Sequence, residues 1–497
     1  MTATAAGPLV LGVDLATAAV RVVAVDAGDG SVAGSAETPL PRPATPRPGW
    51  VEQQPDYAPA ALRSVAAVVT ALGPRAAELR ALSVTATSGT VVATGADGRP
   101  VGAALLYSDD RGRDLAAALA ERTGAPIGSA GTIGRLLWLA AQPETGPAPG
   151  RRYLHSADVV VAALTGVLVS DTSHALKAGI DPAAARWPDA LREGGVPGGT
   201  LPPLAHPGRV VGTVLPHVAA ALGLPAGVLV VAGMTDGCTA QVAAGAVEPG
   251  RTMGVLGTTL VLKGVSDARI DTGAVYSHLA PGGRWWPGGA SNSGAGVLTA
   301  GRTPGADLAA LDAAALAAGP SPLVAYPLPA PPRTGERFPF ADPAATGFLV
   351  DARRPPGPAP TAVEVHRAEL DGIAHVEHLG LDRLAALGVV STEHRVAGGG
   401  SRSTAWLRIR ASALDRPVVR PREPSSGFGA ALLAAAGHEA AGGGDLGNLL
   451  AAVVTRAVRP DLVVDPDPAQ VPRLAEGYGR FLDELRRRGH LPADTAA

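Results

Sequence analysis

A carboxylate set between glycines, in Gly233-Met234-Thr235-Asp236-Gly237, is followed along the chain by a Gly-Thr-Thr turn at Gly257-Thr258-Thr259. Asp is poor in helix interiors and in strands, and Gly on either side frees the backbone to approach a ligand closely. One carboxylate so placed suits a general base that takes a proton from a hydroxyl. The Gly-Thr-Thr turn offers backbone N–H groups and hydroxyls to an anion such as phosphate. The pair points to phosphoryl transfer to an alcohol. Taken singly, each also reads as an ordinary Gly-rich turn with a solvated Asp, so other segments must corroborate them. Cys238 has no His nearby in sequence and reads as a small buried hydrophobe, not a nucleophile.

The elements around these turns are strands. Residues 9–14 read as a buried strand and 20–26 as a second, with a tight turn between them. A Pro-rich loop over 41–48 precedes Gly49-Trp50-Val51-Glu52-Gln53, then a helix over 56–72 and strands near 82–85, 91–94 and 103–107. The apolar strand 228–232 delivers Asp236. Strands 252–256 and 260–263 flank the Gly-Thr-Thr turn as a hairpin. A helix over 364–387 leads to strand 393–397, to Gly398-Gly399-Gly400-Ser401-Arg402-Ser403, and to a helix over 404–414. Mixed strands and helices in both halves indicate an α/β architecture. No sequence repeat is evident, although each half opens on a Gly/Thr hairpin suited to phosphate.

At 497 residues the chain exceeds one ordinary core, which predicts two domains. Its 46% hydrophobic and 17% charged residues are those of a globular protein. The net charge of −2, without a basic patch or like-charge run, argues against nucleic acid or an anionic membrane as the main partner. The single Cys238 excludes an internal disulfide and fits a reducing compartment. No basic residue precedes the short apolar run at the N-terminus, and no apolar stretch reaches the roughly 20 residues that span a bilayer. These features predict a soluble, cytoplasmic protein. The eleven His show no metal-ligand spacing, and His278 is at most a candidate site wall.

Four glycine- or hydroxyl-rich turns now follow apolar strands: Asp14-Leu15-Ala16-Thr17, the Asp236 segment, Gly257-Thr258-Thr259 and Gly398-Gly399-Gly400-Ser401. In α/β proteins ligands gather at the carboxyl ends of strands. The ordered set resembles the FGGY family of carbohydrate kinases over nearly the whole chain. The resemblance implies two actin-like ATPase (ribonuclease H-like) domains around a central cleft. Residues 1–243 would be the sugar-binding domain and 244–497 the nucleotide-binding domain, with the last segment returning to the first. In that family the first hairpin reads Asp-x-Gly-Thr and contacts phosphate. Here Ala16 replaces the Gly, and Ala18 stands where Ser is common. Ala restricts positive φ, which predicts a looser hold on phosphate.

Further strings agree. Gly49-Trp50-Val51-Glu52 resembles a loop near the sugar site, and Tyr107-Ser108-Asp109-Asp110-Arg111 stands for Trp-x-Asp-x-Arg, lining or supporting that site or forming a solvated ion pair. Gly134-Arg135-Leu136-Leu137-Trp138 matches a helix that usually carries Lys at the Arg135 position. Val396–Ser403 with Trp406 resembles the adenosine-binding signature, and Gly427-Phe428-Gly429 a helix start returning towards the nucleotide. Thr85-Ala86-Thr87-Ser88-Gly89-Thr90 replaces the Gln-Met-His-Gly of xylulose-specific members and is similar to a pentulokinase branch associated with D-ribulose. Asp171–Lys177, Tyr276-Ser277-His278, Gly288–Asn292 and Gly335–Phe340 match the same branch.

The resemblance thus implies ATP-dependent phosphorylation of the terminal hydroxyl of a ketopentose, D-ribulose first, with D-xylulose or another ketose or polyol as the alternative. Asp236 is the implied base. Asp14, Ser88, Trp50 and Asp236 would bind the sugar. Thr17, Gly257, Thr258, Thr259, Gly398, Gly399, Gly400 and Ser401 would bind the nucleotide. Mg²⁺ would arrive with ATP, with Asp14 nearby as an indirect partner. Domain closure would exclude water. A monomer or homodimer is expected. Ala16 and Ala18 also admit a catalytically weakened sugar sensor, against which Asp236 and the intact Gly-Thr-Thr turn count.

Overall fold

The computed structural model describes residues 7–124, 131–299, 307–329, 335–352 and 358–492. The chain forms two compact units. One comprises Met1–Ala243, His278–Gly283 and Ser425–Val458, the other Ala244–Ser277, Arg284–Pro424 and Arg459–Ala497.

The first unit is built on a six-stranded sheet in the order Val210–Thr213, Leu229–Val231, Leu79–Ala86, Leu9–Leu15, Ala19–Asp26, Val32–Pro39. The central three strands run parallel, and the flanking pairs are antiparallel. Every residue of Leu9–Leu15 is buried, whereas the edge strand Val32–Pro39 has no buried residue. That contrast follows from covering the central strands on both faces. On one face Tyr57–Leu72 packs through Ala60, Ala61, Val65 and Val68 into the main apolar core. The other face receives Ser426–Ala441, a helix so rich in Ala and Gly that its backbone lies against the sheet: a Cβ built on Gly12 would overlap the Gly427 carbonyl oxygen. A smaller four-stranded sheet, Glu52–Gln53, Ala104–Leu105, Val91–Thr94 and Arg152–His155, carries the Trp50 and Asp109–Arg111 segments at its margin.

The second unit has a seven-stranded sheet ordered Tyr276–Leu279, Trp285–Ser291, Leu260–Lys263, Gly250–Leu256, Ser391–Ala397, Val418–Pro421, Pro460–Val464. The helix Ala362–Ala386 begins with a capping box, in which Thr361 Oγ1 accepts the Glu364 amide at 3.2 Å and Glu364 Oε2 accepts the Thr361 amide at 2.7 Å. It packs with Thr404–Leu414 over a second, separate core that includes Trp406, Phe338 and Phe481.

Six strands of this sheet repeat the first unit's pairing: antiparallel, antiparallel, parallel, parallel, antiparallel. The turn after Leu9–Leu15 therefore corresponds to Gly257-Thr258-Thr259. The end of Leu79–Ala86 corresponds to the end of Ser391–Ala397. The duplication is one of topology and leaves no repeat in the residues. Among the described residues no helix is long and apolar enough to cross a membrane.

Candidate active site

Asp14 lies one residue before the end of its strand, opposite Thr85 of the parallel neighbour and Arg21 of the antiparallel one. It is 8% exposed. Burial, then the charge of Asp236, pushes its carboxyl up to about 6, with Arg21 pulling the other way.

Asp236 is the first residue of the helix Asp236–Ala244, not part of an open loop. Its Oδ1 accepts the Gly237 amide at 2.7 Å, and its carbonyl accepts the hydroxyls of Thr239 and Ser426, each at 3.1 Å. A carboxylate at a helix N-terminus is held by amides and the dipole, which reconciles Asp with helical structure. Gly233 also differs from expectation. Its Cβ would overlap the Val84 carbonyl oxygen, so glycine serves strand-to-strand approach there and not a ligand.

Ser88 follows Leu79–Ala86, the strand between those that deliver Asp14 and Asp236. Its hydroxyl is buried and has no hydrogen-bond partner among the described residues. Gly89, at φ +91°, turns the chain beside it. Arg135 holds this turn from behind: Nε donates to the Gly89 carbonyl at 3.1 Å and Nη1 to the Asp109 carbonyl at 2.7 Å. Its burial lowers the guanidinium to about 10. Asp14, Ser88 and Asp236 thus emerge from the carboxyl ends of three adjacent parallel strands.

The Trp50 ring makes an edge contact with Trp138 at 5.5 Å and faces the Arg111 guanidinium at 4.0 Å. Arg111 pairs with Asp109 at 2.7 Å and Glu52 at 2.9 Å, and its side chain is 2% exposed. The solvated ion pair admitted from the sequence is therefore replaced by a buried hub that holds the Trp50 loop. Asp109 Oδ2 completes it by accepting the Val51 amide at 2.6 Å. Gln53, given no role from its residue type, donates from Nε2 to the carbonyls of Thr17 (2.8 Å) and Pro41 (2.5 Å) and so ties this loop to the Asp14–Thr17 turn.

Ala16 is unstrained. Its amide donates to the Ala19 carbonyl at 3.1 Å, and among described non-glycine residues only Ala185 and Asp415 have positive φ. The turn has found a conformation that Ala adopts, which removes the reason for expecting strain at this position.

In the second unit, Gly257 donates its amide to the Thr259 carbonyl at 3.0 Å across the hairpin turn. Gly294 and Gly296 press against Thr258 and Thr259, where a Cβ on Gly294 would come within 2.6 Å of the Thr258 carbonyl oxygen. Gly398, at φ +85°, packs on Leu256, the residue before Gly257, with 2.6 Å from its built Cβ to the Leu256 carbonyl oxygen. The two glycine turns are therefore adjacent. Ser401 Oγ donates to the Gly398 carbonyl at 2.7 Å, fastening the triple-Gly turn from inside. Asp14, Thr17, Trp50, Ser88 and Asp236 gather in the first unit, while Gly257–Thr259 and Gly398–Ser401 gather in the second.

Residues 9–243 match the N-terminal domain of the FGGY family of carbohydrate kinases, and residues 253–438 match its C-terminal domain. The chain belongs to the FGGY family. It is a carbohydrate kinase, a phosphotransferase with an alcohol acceptor. The xylulose kinase of Streptomyces coelicolor is 30% identical over 486 residues, covering 92% of this chain and 94% of that protein. A glycerol kinase of Bordetella parapertussis is 30% identical over 478 residues, covering 86% and 88%. The crystal structure of the xylulose kinase from Rhodospirillum rubrum superposes with a TM-score of 0.81 at 26% identity, over 96% of this chain and 98% of that one. FGGY kinases use ATP, generally with a divalent metal.

Proposed function

We propose that this FGGY kinase transfers the γ-phosphoryl group of ATP to the terminal primary hydroxyl of D-ribulose, giving D-ribulose 5-phosphate. The observation that carries this reading is the row of Asp14, Ser88 and Asp236 at three adjacent strand ends, with the Ser88 hydroxyl left to accept a partner. A ketopentose presents hydroxyls along its whole length. Ser88 and Asp14 hydrogen-bond hydroxyls of the chain, and Trp50 walls the site. Asp236 takes the proton of the attacking hydroxyl as its oxygen bonds the γ-phosphorus, and the bond to the bridging oxygen breaks to leave ADP. We assign the sugar to the first unit together with Thr17 as a phosphate contact. The nucleotide falls to Gly257, Thr258, Thr259 and the Gly398–Ser401 turn.

A divalent metal fits as an ion carried by the nucleotide phosphates. Among the described residues no three His, Cys, Asp or Glu converge to hold one. The repulsion that Asp14 feels from Asp236 nevertheless favours a cation near them. We assign Mg²⁺, with Asp14 as an indirect partner; when bound it neutralises charge on the transferred phosphoryl.

The second reading is D-xylulose, favoured by relatives such as the xylulose kinases of Escherichia coli and Streptomyces coelicolor, 29% and 30% identical. The two sugars differ in configuration at one carbon, so one hydrogen-bonding group can choose between them. The segment Thr87-Ser88-Gly89-Thr90, in place of Gln-Met-His-Gly, supports ribulose. A panel of pentuloses, polyols and hexoses under one ATP-coupled assay decides. D-ribulose is expected to exceed D-xylulose in kcat/KM by at least about tenfold, and the reverse order overturns the assignment.

A further inference from the structure

Asp171, Thr172, Ser173 and His174 are buried, and the side chains of Ser173 and His174 reach two segments of the site. Asp171 Oδ1 accepts the amides of Ser173 (2.9 Å) and His174 (2.8 Å), so the turn is shaped by its own first residue. Asp171 Oδ2 meets His174 Nδ1 at 2.5 Å, and His174 Nε2 lies 3.3 Å from the Ala86 carbonyl oxygen. A carboxylate and a carbonyl are both acceptors. Both ring nitrogens therefore donate, and the ring is an imidazolium. Burial opposes that charge, but Asp171 and, farther away, Asp158 outweigh it and lift the group to about 9. The titratable groups facing it are Asp171, Asp158 of the helix Ser156–Thr165, and His155, whose ring centroid is 6.1 Å away.

Ser173 reaches the other segment. Its Oγ accepts the Thr235 amide at 3.2 Å and lies 3.1 Å from His278 Nδ1. Ala86 and Thr235 are themselves bridged, and Thr85 Oγ1 donates to the Met234 carbonyl at 2.8 Å. One turn thus grips the backbone two residues before Ser88 and one residue before Asp236.

We infer that Ser173, His174 and His278 are positioning residues of the acceptor site, a buried brace that fixes the placement of the Ser88 hydroxyl relative to the Asp236 carboxylate. The inference rests on the assignment of Ser88 and Asp236 to the sugar. It gives a reason for buried polar residues at these positions: a base displaced by about 1 Å costs on the order of a hundredfold in rate. Ser173 serves the base, so its loss falls on kcat. His174 serves the Ser88 strand end, so its loss falls on the KM for sugar. Neither touches the nucleotide segments, so the KM for ATP stays.

The test is steady-state kinetics of Ser173→Ala, His174→Gln and Asp171→Asn on the full chain, varying D-ribulose, D-xylulose and ATP separately, beside Ser88→Ala and Asp236→Asn. Ser173→Ala is expected to lower kcat by roughly tenfold to a hundredfold, and His174→Gln to raise the sugar KM by roughly tenfold, each with the KM for ATP unchanged. The alkaline limb of kcat/KM for sugar, set by loss of the His174 proton, is expected to move to lower pH in Asp171→Asn. A merely structural role would lower the unfolding temperature without moving that limb or separating the two KM values. Wild-type kinetics in Ser173→Ala and His174→Gln, with Ser88→Ala and Asp236→Asn impaired, overturn the brace. Wild-type kinetics in Ser88→Ala and Asp236→Asn overturn the acceptor assignment instead. Should His174→Gln not fold, the limb in Asp171→Asn and amide exchange at Thr235, expected to be protected in the wild-type enzyme and faster in Ser173→Ala, decide the matter.

Discussion

Burial, and after it the charge of Asp236, raises the Asp14 carboxyl. Asp14 keeps its proton up to about 6, against an ordinary value of 3.8. Because the folded value is raised, the stability it contributes is complete below about 3.8 and is lost as pH rises through about 6. Asp14→Asn is therefore expected to stabilise the fold above pH 6, by on the order of 3 kcal/mol for a shift of about two units, and to leave stability at pH 4 nearly unchanged. Denaturant titrations at pH 4 and pH 8 check the sign, and the same variant should lose turnover. Asp236→Asn is expected to lower kcat by about 10²–10⁴-fold, the usual contribution of a general base, while calorimetry still records sugar binding. At this scale the sequence was informative for Asp236, because a carboxylate among glycines is unusual. It gave no role to Gln53 or Ser173, and to His278 only that of a candidate site wall, because the contacts Gln53–Thr17, Ser173–Thr235 and Ser173–His278 span 36, 62 and 105 positions.

Elements position these groups through close backbone contact and buried charge. The helix Ser426–Ala441 lies on Leu9–Leu15 because Gly12 and Gly427 have no side chains to separate them. Gly12→Ala must push that helix from the strand that carries Asp14, costing roughly 1–3 kcal/mol or more; thermal unfolding together with the sugar KM measures both effects. Arg111 is the other such support. Replacing it with Met would leave Asp109 buried without its cation, a loss of about 3–5 kcal/mol that urea denaturation would register. The helix Thr404–Leu414 was legible in the sequence because its N-cap, Ser403, follows a glycine run that cannot continue as a strand; Ser403 Oγ accepts the Trp406 amide at 3.2 Å. Strand Val91–Thr94 was legible as a β-branched run between turns. The two-residue strands Glu52–Gln53 and Ser170–Asp171 were not, since pairs so short exist only through partners elsewhere in the chain, and of the strand expected over 103–107 only Ala104–Leu105 pairs.

Over the whole molecule, two sheets of the same pairing order underlie the proposed division of sugar and nucleotide residues between the two units. A ligand that binds the native state slows opening of the segments it touches, by roughly 2.7 kcal/mol at a hundred times its dissociation constant. D-ribulose is expected to protect the amides of 85–90 and 235–237 in hydrogen exchange. A non-hydrolysable ATP analogue is expected to protect those of 257–259 and 398–401. Protection of the same segments by both ligands would contradict the division of labour. The sequence by itself determined the family, the α/β class and the order of glycine turns, and singled out Asp236 as the candidate base, because these depend on residue types a few positions apart. Only the tertiary structure decided that the charge of Asp236 acts on Asp14, that Ala16 is unstrained, that Arg111 is buried and that a turn at 171–174 holds the backbone at Ala86 and Thr235. Burial, charge coupling and hydrogen bonds between distant residues depend on distance in space, and the linear order of residues does not encode that distance locally.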